Sequence, residues 1–189
     1  MIAVDSKTMR PGLWTGFYLL ENSPWNIGTV ENCVRRLKCA GFDCGELDER
    51  SAYALFVKST DEEAVYNAER LAKLNFFTQM HMPKPAESPK ECEFCMERIL
   101  RAAGKMNVHI LVTHPFIAYS FETEPKKKNK DYLKNVVGMS EGSGIRIALE
   151  NQIYPVDMDY YLDSVPGLGV NLDFAHAIAS GQDVVYLIK

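Results

Sequence analysis

The octet "IRIALENQ" (residues 145–152) decides the fold. Ile145, Ile147, Ala148 and Leu149 make an almost continuous apolar run that ends abruptly at Glu150. A strand with one wet face alternates between apolar and polar residues; a run of this kind is buried on both faces, as in a parallel sheet covered by helices. "NVHILVTHPF" (107–116) has the same form and ends at His114.

Working outward, apolar runs alternate with amphipathic stretches, the pattern of repeated βα units. "LWTGFYLL" (13–20) reads as a first strand and "GTVENCVRRLKCAGF" (28–42) as a helix. Val30, Cys33, Val34 and Leu37 share one face of that helix, and Gly41 is placed to end it. "CGELDE" (44–49) is a second strand. The helix over 59–75 opens with Ser59 or Thr60 and Glu62 or Glu63 in a capping pattern and carries Ala64, Val65, Ala68, Leu71 and Ala72 as its stripe. "FFTQMHMP" (76–83) is strand three, followed by a helix over 88–106 with Ser88 as cap and Pro89 at its first position. After strand four, residues 117–144 begin as a polar loop and end as a helix near Gly142 or Gly144. Strand five is followed by a short helical segment (156–165), strand six, "LGVNLDFAHA" (168–177), and a final helix over 181–189. The expectation is six βα units in one domain over residues 1–189, with no linker or repeat.

Two parallel architectures compete, the doubly wound sheet and the (β/α)8 barrel. The first βα turn, "LLENSPWNIG", has no G-x-G-x-x-G phosphate loop. The strand ends favour the barrel: Glu46, His81, His114, Glu150 and Asp173 with His176 each stand at an expected strand exit, and in a barrel those exits share one mouth. Side-chain parity agrees. If Glu150 and Asp173 point inward, so do Ala148, Asn171 and Gly169, while Ile147, Leu149, Val170 and Leu172 face the helices. Carboxylate with imidazole suits Mn, Fe, Co or Zn. A divalent ion polarises a carbonyl or hydroxyl oxygen while a carboxylate moves a proton, the chemistry of sugar isomerisation and epimerisation.

Composition weighs against other classes. The chain has 189 residues, is 47% hydrophobic and 24% charged, and carries a net charge of −4, which offers no broad basic field for nucleic acid. No window approaches a membrane span, and "MIAVDSKTMRPGLW" lacks the pattern of a signal peptide, so a cytoplasmic protein is expected. Five cysteines without framework spacing fit a reducing compartment.

"IRIALENQ" and "GLGVNLDFAHAIASGQD" (167–183) resemble the fifth and sixth strands of the xylose isomerase-like TIM barrels, a superfamily of sugar-phosphate isomerases and epimerases that includes endonuclease IV. "AGFDCGELD" is similar to that superfamily's second-strand entry, and "MHMP" and "VTHPF" stand where it has histidines. The resemblance implies a TIM-type (β/α)8 barrel of which this chain holds the first six βα units. It also implies that a seventh and eighth strand would bring a further metal-binding His and a Glu, so the chain as written is expected to be C-terminally incomplete. Carried over, Glu150 and Asp173 become ligands of a divalent ion (Mn, Co, Mg or Zn), with His176 a further ligand or a substrate contact. Glu150 and His176 take the catalytic roles. His81, His114, Glu46 and Trp14 line the substrate pocket, His81 and His114 matching metal ligands of the endonuclease branch. The partner is a small sugar or sugar phosphate.

Blander uses stand beside these. Glu150 and Asp173 can cap the helices that follow, and His81 and His114 can be ordinary strand-end histidines. His109 reads as a packed histidine, Cys92-x-x-Cys95 as a helix surface pair, "KKKNK" (126–130) as a solvated loop, and Trp14 as core. Three functions follow: a metal-dependent sugar isomerase or epimerase; a zinc phosphodiesterase at abasic DNA; or an inactive barrel or one completed by another chain, with self-association covering exposed sheet edges.

Overall fold

Six parallel strands lie side by side in the order in which the chain makes them: β1 (Gly12–Trp14), β2 (Cys44–Leu47), β3 (Phe77–His81), β4 (Ile110–Thr113), β5 (Arg146–Glu150) and β6 (Gly169–Asn171). The computed structural model describes residues 12–14, 26–83, 89–114, 123–152 and 157–181. Strands that follow one another in parallel need crossovers, and right-handed crossovers in one direction place every helix on the same face. The helices are α1 (Ile27–Cys39), α2 (Glu49–Ala52), α3 (Asp61–Ala72), α4 (Pro89–Met106), α5 (Thr123–Ser140), α6 (Met158–Ser164) and α7 (Phe174–Ala179). A π-helical turn, Tyr53–Val57, continues α2, closed by Lys58 N–H donating to the Tyr53 carbonyl at 2.9 Å.

Local sequence explains where the helices start and stop. The Asn26 side chain accepts from Thr29 N at 3.0 Å and opens α1; the chain leaves it through Gly41 at φ +91°, a conformation that costs glycine little. Thr60, rather than Ser59, caps α3, and it forms a reciprocal box with Glu63. Buried Val30, Cys33, Val34 and Leu37 form the expected stripe of α1.

The register separates the two faces of the sheet. Leu47, Met80, Leu111 and Ile147 are successive neighbours across β2 to β5, and each is at most 1% exposed beneath the helices. Full burial of such a side chain contributes about 1.5–3 kcal/mol, so the helix side holds the sheet and leaves the other face free for polar groups. On that other face His81, Val112, Ala148 and Gly169 form one row, with Glu150 and Asn171 one step further toward the mouth. Between β2 and β3 the pairing shifts by one residue: Gly45 pairs with Phe77, but Glu46 pairs with Gln79.

Several expectations change. Strand six ends at Asn171, and residues 174–179 are helical because the Asp173 side chain caps that turn; His176 therefore stands on α7. The lysines of 126–130 lie in α5, not in a loop, and the Lys126 ammonium bonds Asp157 at 2.7 Å. His109 is exposed just before β4 rather than packed within it. Residues 15–20 of the first strand, the Trp14 and Cys92 side chains, Ser88 and the final helix beyond Gly181 lie outside the described residues.

Candidate functional site

Parallel strands bring their C-terminal ends to one mouth, and the polar side chains collect there. Glu150, the last residue of β5, is the centre. Its Oε2 lies 2.7 Å from His114 Nε2, 3.4 Å from His81 Nε2 and 3.8 Å from His176 Nδ1, and its Oε1 accepts from Asn171 Nδ2 at 2.8 Å. The His81 and His114 rings sit 4.5 Å apart, tilted by 58°. Glu46 projects from β2 toward the same space and accepts a hydrogen bond from the Gln79 amide.

Burial and charge set the protonation states. Burial pushes the Glu150 carboxyl upward, but the hydrogen bonds and charges of His114 and His81 outweigh it and hold it well below the usual carboxylate range. For His81, burial opposes the charged ring; the hydrogen bond to Glu150 and the charges of Glu46 and Glu150 override it and leave the pKa raised. Burial lifts Glu46, an effect that His81 and Gln79 offset only in part, with Glu150 and Asp173 adding to the rise. Three carboxylates facing one another are held by imidazoles, an electrostatic arrangement that suits a cation.

Asn151 fixes the β5 exit against the β6 exit. Its Oδ1 accepts from Asp173 N at 2.6 Å, its Nδ2 donates to the Asp173 carbonyl at 3.0 Å, and its own carbonyl meets His176 Nδ1 at 2.8 Å. A carbonyl only accepts, so Nδ1 carries the proton and the lone pair of the neutral ring is on Nε2. Asp173 Oδ1 accepts from His176 N at 2.9 Å, which is the helix-capping role, and Oδ2 lies 3.7 Å from His176 Nδ1.

Ligand atoms of Glu150, Asp173 and His176 lie within 4.8 Å of one another. The two carboxylates are donors for a divalent ion such as Mn, Co or Zn, and the imidazole adds a nitrogen donor once Nδ1 gives up its proton and the Asn151 carbonyl, so the residues present fit such an ion. The structure thus gathers Glu46, His81, His114, Glu150, Asp173 and His176 at one mouth; for Trp14 only the backbone is described, paired with Glu46. Asn171 faces inward as its parity predicts; sequence reasoning missed the placing of Asn151 and Gln79, and above all Glu49, whose ligand atom groups with those of His81 and His114. Its place at a strand exit was the available signal. The second strand was expected through residue 49, whereas α2 begins at that residue.

No protein-family model and no curated protein sequence matches the chain. Solved structures do. The D-psicose 3-epimerase of Clostridium cellulolyticum H10, solved with D-tagatose, superposes with a TM-score of 0.69 at 15% identity, over 93% of this chain and 67% of that one. The probable 3-DHS dehydratase AsbF of Bacillus anthracis gives 0.68 at 16%, over 93% and 66%. A xylose isomerase-like TIM barrel protein of Mycobacterium smegmatis, in complex with magnesium, gives 0.66 at 14%, over 91% and 67%. This chain spans about two thirds of the length of these proteins. A dehydratase beside an epimerase shows that the shared feature is architecture. The fold is that of the xylose isomerase-like TIM barrels, of which this chain provides six consecutive βα units.

Proposed function

We propose that the chain serves a metal-dependent isomerase or epimerase of a sugar or sugar phosphate. The observation that carries this reading is the convergence of Glu150, Asp173 and His176 within 4.8 Å at the mouth of this fold. Its support from neighbours is that one is an epimerase solved with D-tagatose and another a magnesium complex. A divalent ion bound there would polarise a substrate carbonyl or hydroxyl and acidify the neighbouring C–H.

Glu150 and Asp173 would hold the ion. Hydrogen bonds from His114 and His81 keep Glu150 ionised, the form needed both by a ligand and by a base at the reacting carbon. His176, with Nδ1 committed to the Asn151 carbonyl, has Nε2 left to orient a substrate hydroxyl. Glu46, His81 and His114 line the polar wall, and Trp14 is assigned the rim beside Glu46.

The test is exchange of solvent deuterium into D-psicose and D-tagatose, followed by NMR with Mn, Co, Mg or Zn added. Exchange at the carbon beside the carbonyl should need the ion and fall at least about 100-fold in Glu150→Gln, the scale of a lost general base. No exchange by the wild-type chain with any of these ions and sugars would retire the reading. A zinc phosphodiesterase at abasic DNA is the second reading, favoured by His81 and His114 meeting on one carboxylate oxygen. Nicking of an abasic duplex with zinc, without sugar exchange, would put it first.

A further inference from the structure

Glu49 is the first residue of α2, one step beyond the Asp48 cap, and neither the strand pairing nor the capping uses its side chain. Its Oε2 is buried and has no hydrogen-bond partner among the described residues. A buried carboxylate oxygen left in this way loses its hydration with nothing in return, and native structures rarely carry one without a use for it. The other carboxylates of the mouth are engaged within the chain: Glu46 by the Gln79 amide, Glu150 by His114, His81 and Asn171, and Asp173 by the first turn of α7. Glu49 holds an acceptor for which the donor has to come from elsewhere.

A carboxylate oxygen of Glu49 and ring nitrogens of His81 and His114 lie within 4.8 Å of one another. Three atoms so spaced leave room for a single oxygen about 2.8 Å from each, the length of a hydrogen bond. A phosphoryl oxygen there would set like charge against the carboxylate. A hydroxyl fits, because it donates and accepts at once, whereas a carboxylate only accepts and a ring nitrogen takes either role according to its tautomer. We infer that Glu49 is a specificity-determining residue, accepting a hydrogen bond from one free hydroxyl of the sugar while an imidazole of His81 or His114 meets the oxygen of that hydroxyl. The inference rests on the isomerase or epimerase reading above and narrows it. Glu150 Oε2 is 2.7 Å from His114 Nε2, so the hydroxyl taken by Glu49 belongs to a carbon close to the reacting one, and that carbon carries no phosphate ester.

Such a contact is tested by removing either half of it. The full chain with magnesium is titrated with D-psicose, with D-tagatose and with their monodeoxy derivatives, and binding is followed by protein-detected NMR. The same titrations are run on Glu49→Leu, which keeps an apolar stem and removes the acceptor. In wild type one deoxy position should weaken binding at least about tenfold, because the complex then buries the carboxylate unpaired. In Glu49→Leu the parent sugars should bind at least about tenfold more weakly than to wild type, and that deoxy derivative should bind as well as its parent, the coupling expected of two groups in direct contact.

Thermal unfolding separates the contact from folding. Glu49→Leu removes an unpaired buried carboxylate, so the variant should melt no lower than wild type. If it does not fold, Glu49→Gln, whose amide oxygen accepts without the charge, should weaken the parent sugars and reduce the penalty of the deoxy position. Unchanged sugar binding in the folded variant, or a deoxy penalty as large there as in wild type, overturns the role of Glu49; with deuterium exchange still present, the function proposed above stands. Coupling between Glu49 and one hydroxyl in a chain that exchanges no deuterium retires that function and keeps the contact. No binding of either sugar by wild type removes both.

Discussion

Asp173 uses its two oxygens differently: Oδ1 caps α7, and Oδ2 faces His176 in the candidate ligand group. The two uses separate by substitution. Asparagine caps a helix about as well as aspartate but carries no charge, whereas alanine does neither. Asp173→Asn should therefore keep the metal-free melting temperature and bind the ion at least about tenfold more weakly, while Asp173→Ala should also lose about 1 kcal/mol of stability. Wild-type zinc affinity in the asparagine variant would remove Asp173 from the ligand set. At this scale much of the site was legible: His114 and Glu150 each close an apolar run, Glu46 and His81 stand at the exits of two further expected strands, and parallel strands send such residues to one mouth. Glu49 was not, because the expected second strand ran two residues past Leu47, through the Asp48 cap and into a helix start.

Among the elements, β4 and β5 were readable from their apolar runs, and α1 and α3 because caps and apolar stripes agree there. Residues 168–177 were not. Their apolar content continues past Asn171, so periodicity marks no strand end there; the end is set by the Asp173 cap, the blander use that the sequence offered for this residue. The stretch after Asp48 was also opaque, since α2 and its π-helical turn depend on a distant arginine. Arg98 of α4, buried, donates to the carbonyls of Phe56, Ser59 and Thr60 and bonds Asp61, satisfying acceptors that the irregular turn leaves open. Arg98→Met keeps much of the stem and removes every donor. It should cost about 2–4 kcal/mol in urea unfolding, the range for stranding buried partners of a charged group. A loss below about 1 kcal/mol would mean that water replaces the guanidinium without difficulty.

For the whole molecule, the buried carboxylate and histidines make stability depend on pH. The lowered pKa of Glu150 gives a contribution that is complete above its unfolded value, roughly 4.3, and is lost as pH falls toward the folded value. The raised pKa of His81 gives one that is complete below its unfolded value, about 6.5, and is lost as pH rises through the folded value. Both are present between about pH 5 and 6.5. Metal-free protein should be most stable there and lose stability toward pH 9, with His81→Gln flattening the alkaline limb. Zinc should oppose that alkaline loss, because the ion takes unprotonated imidazole. A melting temperature constant from pH 6 to 9 in the absence of metal would contradict the His81–Glu150 pairing.

The one-residue shift between Gly45 and Glu46 works as a phase adjustment between neighbouring strands. Thr78 is the extra residue; beyond it Gln79 and His81 come into step with Glu46, while Met80 falls in step with Leu47. A slip of one residue in a strand exchanges its faces. Had β3 continued in its initial register, Thr78 would stand opposite Glu46 and Gln79 opposite Leu47, out of step with the polar face. The chemistry at the mouth thus depends on how many residues β3 spends before reaching it, a quantity invisible to any inventory of side chains.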